Sequence, residues 1–294
     1  MMNKIYDDIT IVTVLYNTGK IVESFFENLK SFKTIVVDNG KNEKILDKIK
    51  SYKNIKIVSK NKNLGYGSAV NFAFESVTTK FFLILNSDID IDADSIDNLH
   101  NILNQDKDCG IVAPITYPEE DFYGAFPERN LKNLTLINAL KSRDLLSKSK
   151  IEGNLCVDVA KWALLVKAKE FKKVGGFNEK LFLFWEEIDL CRRFRSKELS
   201  VVITPKSRAK HHQDKSSDSN FRNFLIKTYY HEYSPLVYFN VKKFSFFYLK
   251  RMMKYLFRGL SYLLILNLKK SLIYFLRLSA SIKYFLNLKF SSDN

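Results

Sequence analysis

Apolar positions along the first ninety residues follow two alternating rhythms. Ile9 to Leu15 is a continuous β-rich run closed by Asn17 and Gly19, and a run this short bounded by turn residues reads as a buried strand. Ile21, Val22, Phe25, Phe26 and Leu29 then recur at the i, i+3, i+4 spacing of a helix face. The cycle repeats. Thr34 to Val37 ends in Asp38-Asn39-Gly40, a helical stretch surrounds Ile45 and Ile49, Ile55 to Val58 is strand-like, a helix starts near Ser68, and Phe81 to Leu85 ends in Asn86-Ser87-Asp88. Strand alternating with helix predicts an α/β fold around a mostly parallel sheet.

The rhythm breaks after Gly110 to Pro114. The chain reads as irregular from Tyr117 to Arg129 and helical through Lys150, as an acceptor-side insertion would. Val157 to Val166 reads as strand, and Phe171 to Phe177 as a helix end stopped by Gly175-Gly176. The run from Leu181 to Phe194 places acids at the opening of a helix whose Leu190, Cys191 and Phe194 face inward. A short strand, Val201 to Ile203, leads through Pro205 to His211-His212.

Ligands of parallel α/β sheets gather at the carboxyl ends of strands. Asn17, Asp38 and Asp88 all fall there. Asp and Asn also favour the turns that end strands, so it is their convergence on one edge that points to a site. The turn Asn86-Ser87-Asp88 suits Mg²⁺ or Mn²⁺, hard ions that take oxygen ligands and let a diphosphate complete the shell. Asp90, Asp92, Asp94 and Asp97 read instead as a solvated face, with Asp94 or Ser95 as a helix cap. Asn63-Leu64-Gly65-Tyr66-Gly67 is a glycine-containing turn into a helix, where backbone amides approach an anion, although a plain turn has the same composition. Glu186 and Glu187 open a helix after an aromatic run ending in Trp185: a carboxylate there can accept a hydroxyl proton or simply offset the helix dipole. His211 and His212 suit either metal and phosphate contact or a plain loop.

Charge then separates the chain into two parts. Of a formal net charge of +15, residues 221–294 hold 13 Lys or Arg against only Glu232 and Asp293. The expected organisation is a catalytic domain over residues 1–220 and a basic amphipathic helical tail over 221–294. The longest apolar stretches, Gly259 to Leu268 and Ser271 to Leu286, do not reach the ~20 apolar residues of a spanning helix. Basic helices lying on an anionic membrane surface are therefore expected, with packing on the catalytic domain or a homo-oligomer interface as the alternatives. Signatures of nucleic-acid binding are absent. The N-terminus lacks the layout of a signal peptide, and three widely spaced cysteines, Cys109, Cys156 and Cys191, fit a reducing cytosol.

In order, Val14 to Asn17, Val36 to Gly40, Asn63 to Asn71, Leu85 to Asp88, Gly175 to Glu179, Phe182 to Leu190 and Pro205 to His211 with Ser216 resemble the motifs of family two inverting glycosyltransferases, especially their bacterial rhamnosyltransferase-like branch. The resemblance implies a GT-A fold, Rossmann-like with helices flanking the sheet, and a basic helical C-terminal extension beyond it. It implies that Tyr16, Asn17, Asp38, Asn39, Asn63, Gly65, Gly67, Asn71, Asn86, Ser87 and Trp185 border a nucleotide-sugar donor, with Asp38 on the base. Asp88 and His211 would hold the Mg²⁺ or Mn²⁺, and Glu187 would be the catalytic base. Asn86 stands where the family often has a first acid, and Glu187 where it usually has Asp, so Glu186 and Asp189 remain alternative bases. The implied reaction is metal-assisted transfer, with inversion, from dTDP-rhamnose or a UDP-sugar to a hydroxyl of a cell-surface polysaccharide or lipid-linked glycan, on the inner face of the cell membrane. A non-catalytic nucleotide-sugar-binding or scaffold protein of the same fold is the alternative class.

Overall fold

The computed structural model describes residues 4–17, 22–40, 42–117, 125–126, 147–148, 153–212, 220–241 and 246–290. A short helix the apolar pattern did not announce, α1 (Lys4–Asp8), precedes β1 (Ile9–Leu15). The chain continues as α2 (Val22–Asn28), β2 (Lys33–Asp38), α3 (Glu43–Ile49), β3 (Ile55–Ser59), α4 (Tyr66–Phe74) and β4 (Phe81–Leu85). β5 (Ile89–Ile91), α5 (Ala93–Gln105) and β6 (Cys109–Tyr117) follow, with two-residue strands β7 (Ala125–Phe126) and β8 (Ser147–Lys148) beyond them. The rest of the expected insertion between Tyr117 and Lys150 lies outside the described residues.

The predicted strand from Val157 to Val166 is broken into β9 (Leu155–Val157), β10 (Val159–Ala160) and β11 (Ala163–Lys167). Trp162 causes the second break: with φ +71 it sits at the centre of a γ-turn closed by Ala163 N–H on Lys161 C=O at 2.9 Å. α6 (Ala168–Lys173), α7 (Glu186–Arg195) and β12 (Ser200–His211) complete the sheet domain. β12 is far longer than the three-residue strand expected, because a register shift between Thr204 and Arg208 absorbs Pro205 and lets the strand carry on to His211. The α5 cap is Asp92, whose Oδ1 accepts Ser95 N–H at 2.6 Å, not Asp94 or Ser95. Asp90 is not simply solvated, since its Oδ2 lies 2.5 Å from His212 Nε2.

The sheet runs β3-β2-β1-β4-β11-β6-β12-β9-β8, with β5 paired to β12. β1, β2, β3 and β4 are mutually parallel, as are β6 and β12, while β11 is antiparallel to both its neighbours. Both faces are covered, which explains the uninterrupted apolar runs. Phe81, Leu83 and Leu85 of β4 join Phe25, Phe26, Ile96 and Leu99 on one side. Phe82 and Ile84 join Val70, Phe171, Leu190 and Phe194 on the other.

One contact fixes α4 against the segment after α6. Asn71 donates to Phe177 C=O at 2.9 Å and accepts Phe177 N–H at 2.7 Å. Gly176, at φ +68, passes so close that a Cβ there would sit 2.5 Å from Asn71 Oδ1. Asn71→Ala strands both main-chain groups and should destabilise the protein by about 1–3 kcal/mol, measured as a lower denaturant midpoint.

The chain divides into two compact units, Met1–Asn178 with Glu187–Asp218, and Glu179–Glu186 with Ser219–Asn294. The second contains α8 (Phe221–Tyr238), α9 (Phe246–Leu264) and α10 (Leu268–Phe290). Its buried acid, Glu232, takes two bonds from Arg251 at 2.8 and 2.7 Å and one from Tyr255 at 2.6 Å. The aromatic run before α7 belongs to this unit: Phe182 stacks on Tyr230, Phe184 on His231, and Trp185 leans on Tyr238. Among the described residues no helix is long and apolar enough to cross a membrane.

Candidate active site

The strand order 3-2-1-4 reverses direction between β1 and β4, and a crevice at the carboxyl ends of such strands is where α/β sheets bind ligands. Leu15 at the end of β1 pairs with Asp38, which pairs with Ser59. Tyr16 and Asn17 follow and lie against Gly40. Asp38 Oδ1 accepts Gly40 N–H at 3.3 Å and the Asn42 amide at 2.6 Å. These bonds fix its carboxylate at the crevice edge.

Asn39 is buried and ties this edge to the next turn. Its amide donates to Asn63 Oδ1 and Gly65 C=O, and its Oδ1 accepts Leu64 N–H at 2.7 Å. Asn63 Oδ1 also accepts Gly65 N–H at 2.9 Å. Gly65 takes φ +81 to turn the chain into α4, and Gly67 lies in the first turn against Phe177. From that first turn Tyr66 OH reaches Asn86 Oδ1 at 2.5 Å, so the two polar turns are joined.

The acidic turn is deep. Ser87 and Asp88 are 2% and 3% exposed, and Asp88 Oδ1 has no hydrogen-bond partner. Its Oδ2 lies 3.5 Å from His211 Nε2, too long for a strong hydrogen bond. The main chains of the two segments are tied by His212 N–H on Asp88 C=O at 2.9 Å. An uncommitted buried carboxylate oxygen beside an imidazole fits a divalent cation that draws its remaining ligands from diphosphate and water. Among the described residues no group of three or more His, Cys, Asp or Glu could hold a metal without such help.

Glu187 approaches from α7. Burial pushes its carboxyl above the ordinary range, while the Lys161 ammonium and hydrogen bonds from the Glu187 and Trp162 amides pull it back. Of the alternatives, Asp189 is held by Arg193 through Nε and Nη2, both at 2.8 Å. Glu186 is buried and falls in the other compact unit, as does Trp185. Cys191, on the buried face of the same helix, has its thiol pushed up to about 12 by burial, so it supplies no nucleophile.

Trp162, absent from the residues singled out in the sequence, joins these parts. Its carbonyl accepts Asn86 N–H at 3.0 Å, its amide bonds Glu187, and its ring stacks on His211 at 4.7 Å. A tryptophan looks like core from sequence alone, and only its positive φ marks it. Trp162→Gly keeps a residue that tolerates this backbone and deletes the ring. It should lower the melting temperature, since the ring packs against the sheet core, and should also weaken metal-dependent nucleotide binding about tenfold by freeing His211.

With this geometry in view, the sequence profile of Glycosyl transferase family 2 matches residues 10–163, more than half of the chain. The chain belongs to that family. It is 23% identical over 205 residues to the low-salt glycan biosynthesis hexosyltransferase Agl10 of Haloferax volcanii, covering 66% of this chain and 64% of that one. To the N-acetylglucosaminyl-diphospho-decaprenol L-rhamnosyltransferase of Mycobacterium tuberculosis it is 25% identical over 247 residues, covering 72% and 78%. Among solved structures it resembles GalNAc-T7 with UDP, GalNAc and Mn2+, with TM-score 0.57, 13% identity, and 77% and 51% coverage. It also resembles the mannosyltransferase PcManGT from Pyrobaculum calidifontis in complex with GDP-Man and Mn2+, with TM-score 0.55, 12% identity, and 98% and 76% coverage. The chain thus spans less than two thirds of the length of Agl10 and about half of GalNAc-T7. At these identities the structural likeness is one of fold, the GT-A arrangement.

Proposed function

We propose that this protein transfers a hexosyl group from a nucleoside-diphosphate sugar to a hydroxyl of a lipid-linked or polysaccharide glycan, with inversion at the anomeric carbon. The observation that carries the proposal is the junction at Trp162, through which a half-buried carboxylate, a deep uncommitted aspartate and a histidine meet at the carboxyl ends of β4 and β12. Membership of glycosyl transferase family 2 and two relatives named as a hexosyltransferase and a rhamnosyltransferase support it.

Glu187 takes the proton of the acceptor hydroxyl as that oxygen attacks the anomeric carbon from the face opposite the phosphate. The anomeric carbon–oxygen bond to phosphate breaks, and its electron pair leaves with the nucleoside diphosphate. Asp88 and His211 would hold Mg²⁺ or Mn²⁺, which supplies positive charge against the leaving diphosphate. Asp38 with Tyr16 and Asn17 borders the base and ribose. The polar turn at Asn63, Gly65 and Gly67 keeps main-chain amides near the donor, and Asn39 and Asn71 hold that turn and α4 in place. Asn86 and Ser87 flank the diphosphate.

By likeness to the mycobacterial relative, whose name specifies a polyprenyl diphosphate sugar, the acceptor here is lipid-linked and dTDP-rhamnose is the first donor to test, ahead of UDP-sugars. The protein then works as a peripheral protein on the inner membrane face. Turnover assays with dTDP-, UDP- and GDP-sugars, followed by NMR of the product, test the reading. A product with the donor's anomeric configuration inverted is expected, and a retained configuration would overturn the mechanism. Nucleotide binding with no turnover of any donor would favour the scaffold class.

A further inference from the structure

The helical unit presents an apolar surface where folding alone would put a polar one. On α9, Phe246, Leu249, Met253, Phe257, Leu260 and Leu264 form one row at helical spacing, and all six are exposed. The opposite face of the helix, with Tyr248, Tyr255 and Gly259, is the buried one. There a Cβ on Gly259 would lie 2.9 Å from the Phe275 ring, so α9 and α10 meet closely along it. The outer row lies on the exposed side of the helix. Lys250, Lys254 and Arg258 run beside it at i, i+4 spacing.

The row ends in the turn between α9 and α10. The turn closes as a Schellman motif, with Asn267 N–H on Tyr262 C=O at 2.8 Å and Leu266 N–H on Leu263 C=O at 3.0 Å. The left-handed position of that motif usually belongs to glycine. Here it is Leu266, at φ +55 and 81% exposed, flanked by Leu264 at 84% and Ile265 at 69%. Leucine costs stability there twice, through its backbone and through its exposure. Just behind the turn Tyr262 and Tyr274 stack at 5.6 Å, with Lys270 over Tyr262 and Arg258 donating to Tyr274 OH at 3.1 Å. An apolar tip followed by a collar of tyrosine and basic residues matches the layering of a bilayer interface.

We propose that the α9–α10 turn, Leu263 to Leu268, enters the hydrocarbon edge of an anionic lipid monolayer, with the outer row of α9 lying along the headgroups. The occupant is lipid because the basic flank is uncompensated: Glu232 is sealed by Arg251 and Tyr255, and among the described residues α8, α9 and α10 carry no other acid. The inference rests on the peripheral-membrane reading above and assigns it to particular residues.

Co-sedimentation of the full chain with phosphatidylcholine vesicles, with and without phosphatidylglycerol, tests it alongside thermal melting. The parent should bind the anionic vesicles, more weakly as salt rises. Leu266→Gly should bind about tenfold more weakly while melting no lower than the parent, an inversion that a purely structural leucine would not give. Leu264→Ser with Ile265→Ser should lose more binding still. If the parent binds and these variants bind equally well, the turn is not the insertion element, although the peripheral-membrane reading survives. If the parent binds neither vesicle, both fall. A parent that binds no lipid but sediments as a dimer dissociated by the tip variants would assign the surface to a second copy of the chain.

Discussion

Glu187→Gln should lower kcat by about 10²–10⁴-fold, roughly 3–5 kcal/mol of transition-state stabilisation, with nucleotide binding intact. Glutamine keeps the shape and can still accept the Trp162 amide, but it cannot take a proton. Stability should not suffer, because burial already disfavours the charged form of Glu187. The same burial should set the pH profile of the parent. A base works only when ionised, so a carboxyl pushed upward moves the acid limb of kcat above the ~4.3 of an unperturbed glutamate. Lys161 opposes the shift, and Lys161→Met should therefore move the limb higher still. Asp189→Asn should keep activity within a few-fold of the parent, since Arg193 already occupies that carboxylate. Loss of turnover in Glu186→Gln with retention in Glu187→Gln would transfer the base to Glu186.

Asp88→Asn is expected to abolish the metal dependence of nucleotide binding and to cut turnover by about 100-fold or more. The aspartate is 3% exposed, and one of its oxygens is uncommitted. A buried anion without a compensating cation is costly, so the variant should melt at the same temperature as the metal-free parent or above it. The diagnostic result is a parent whose melting rises with nucleotide only when Mn²⁺ or Mg²⁺ is present, beside a variant unmoved by the metal. Equal metal response in both would remove Asp88 from the metal site.

Much of the sheet domain was legible because its signals are local. Strands buried on both faces must be continuously apolar, and β1 and β4 have the bounds that rule gives them. Polar residues at strand ends could be placed together at one edge of the sheet from sequence, because the connection order, not any single side chain, creates the crevice there. What escaped was long-range. Pro205 looked like the end of a strand, and only the register shift within the β12–β6 pairing shows how the chain passes it. Nothing local in the sequence shows that the Asn39 and Asn71 amides are engaged by main chain more than twenty residues away. Trp162 gave no sequence signal at all, since its place depends on a left-handed backbone angle in the middle of a β-rich run. The grouping of Phe182, Phe184 and Trp185 with α8 likewise depends on partners some fifty residues on.

The most direct test of the central claim is thermal melting with UDP, dTDP and GDP, each with and without Mn²⁺ or Mg²⁺. A ligand at 100 times its dissociation constant adds about 2.7 kcal/mol to stability, enough to raise the melting temperature visibly. One nucleotide should raise it only when metal is present, and Asp88→Asn should erase the metal's contribution. A parent that responds to none of the three, with or without metal, would contradict a nucleotide-sugar site at the ends of β1, β2 and β4.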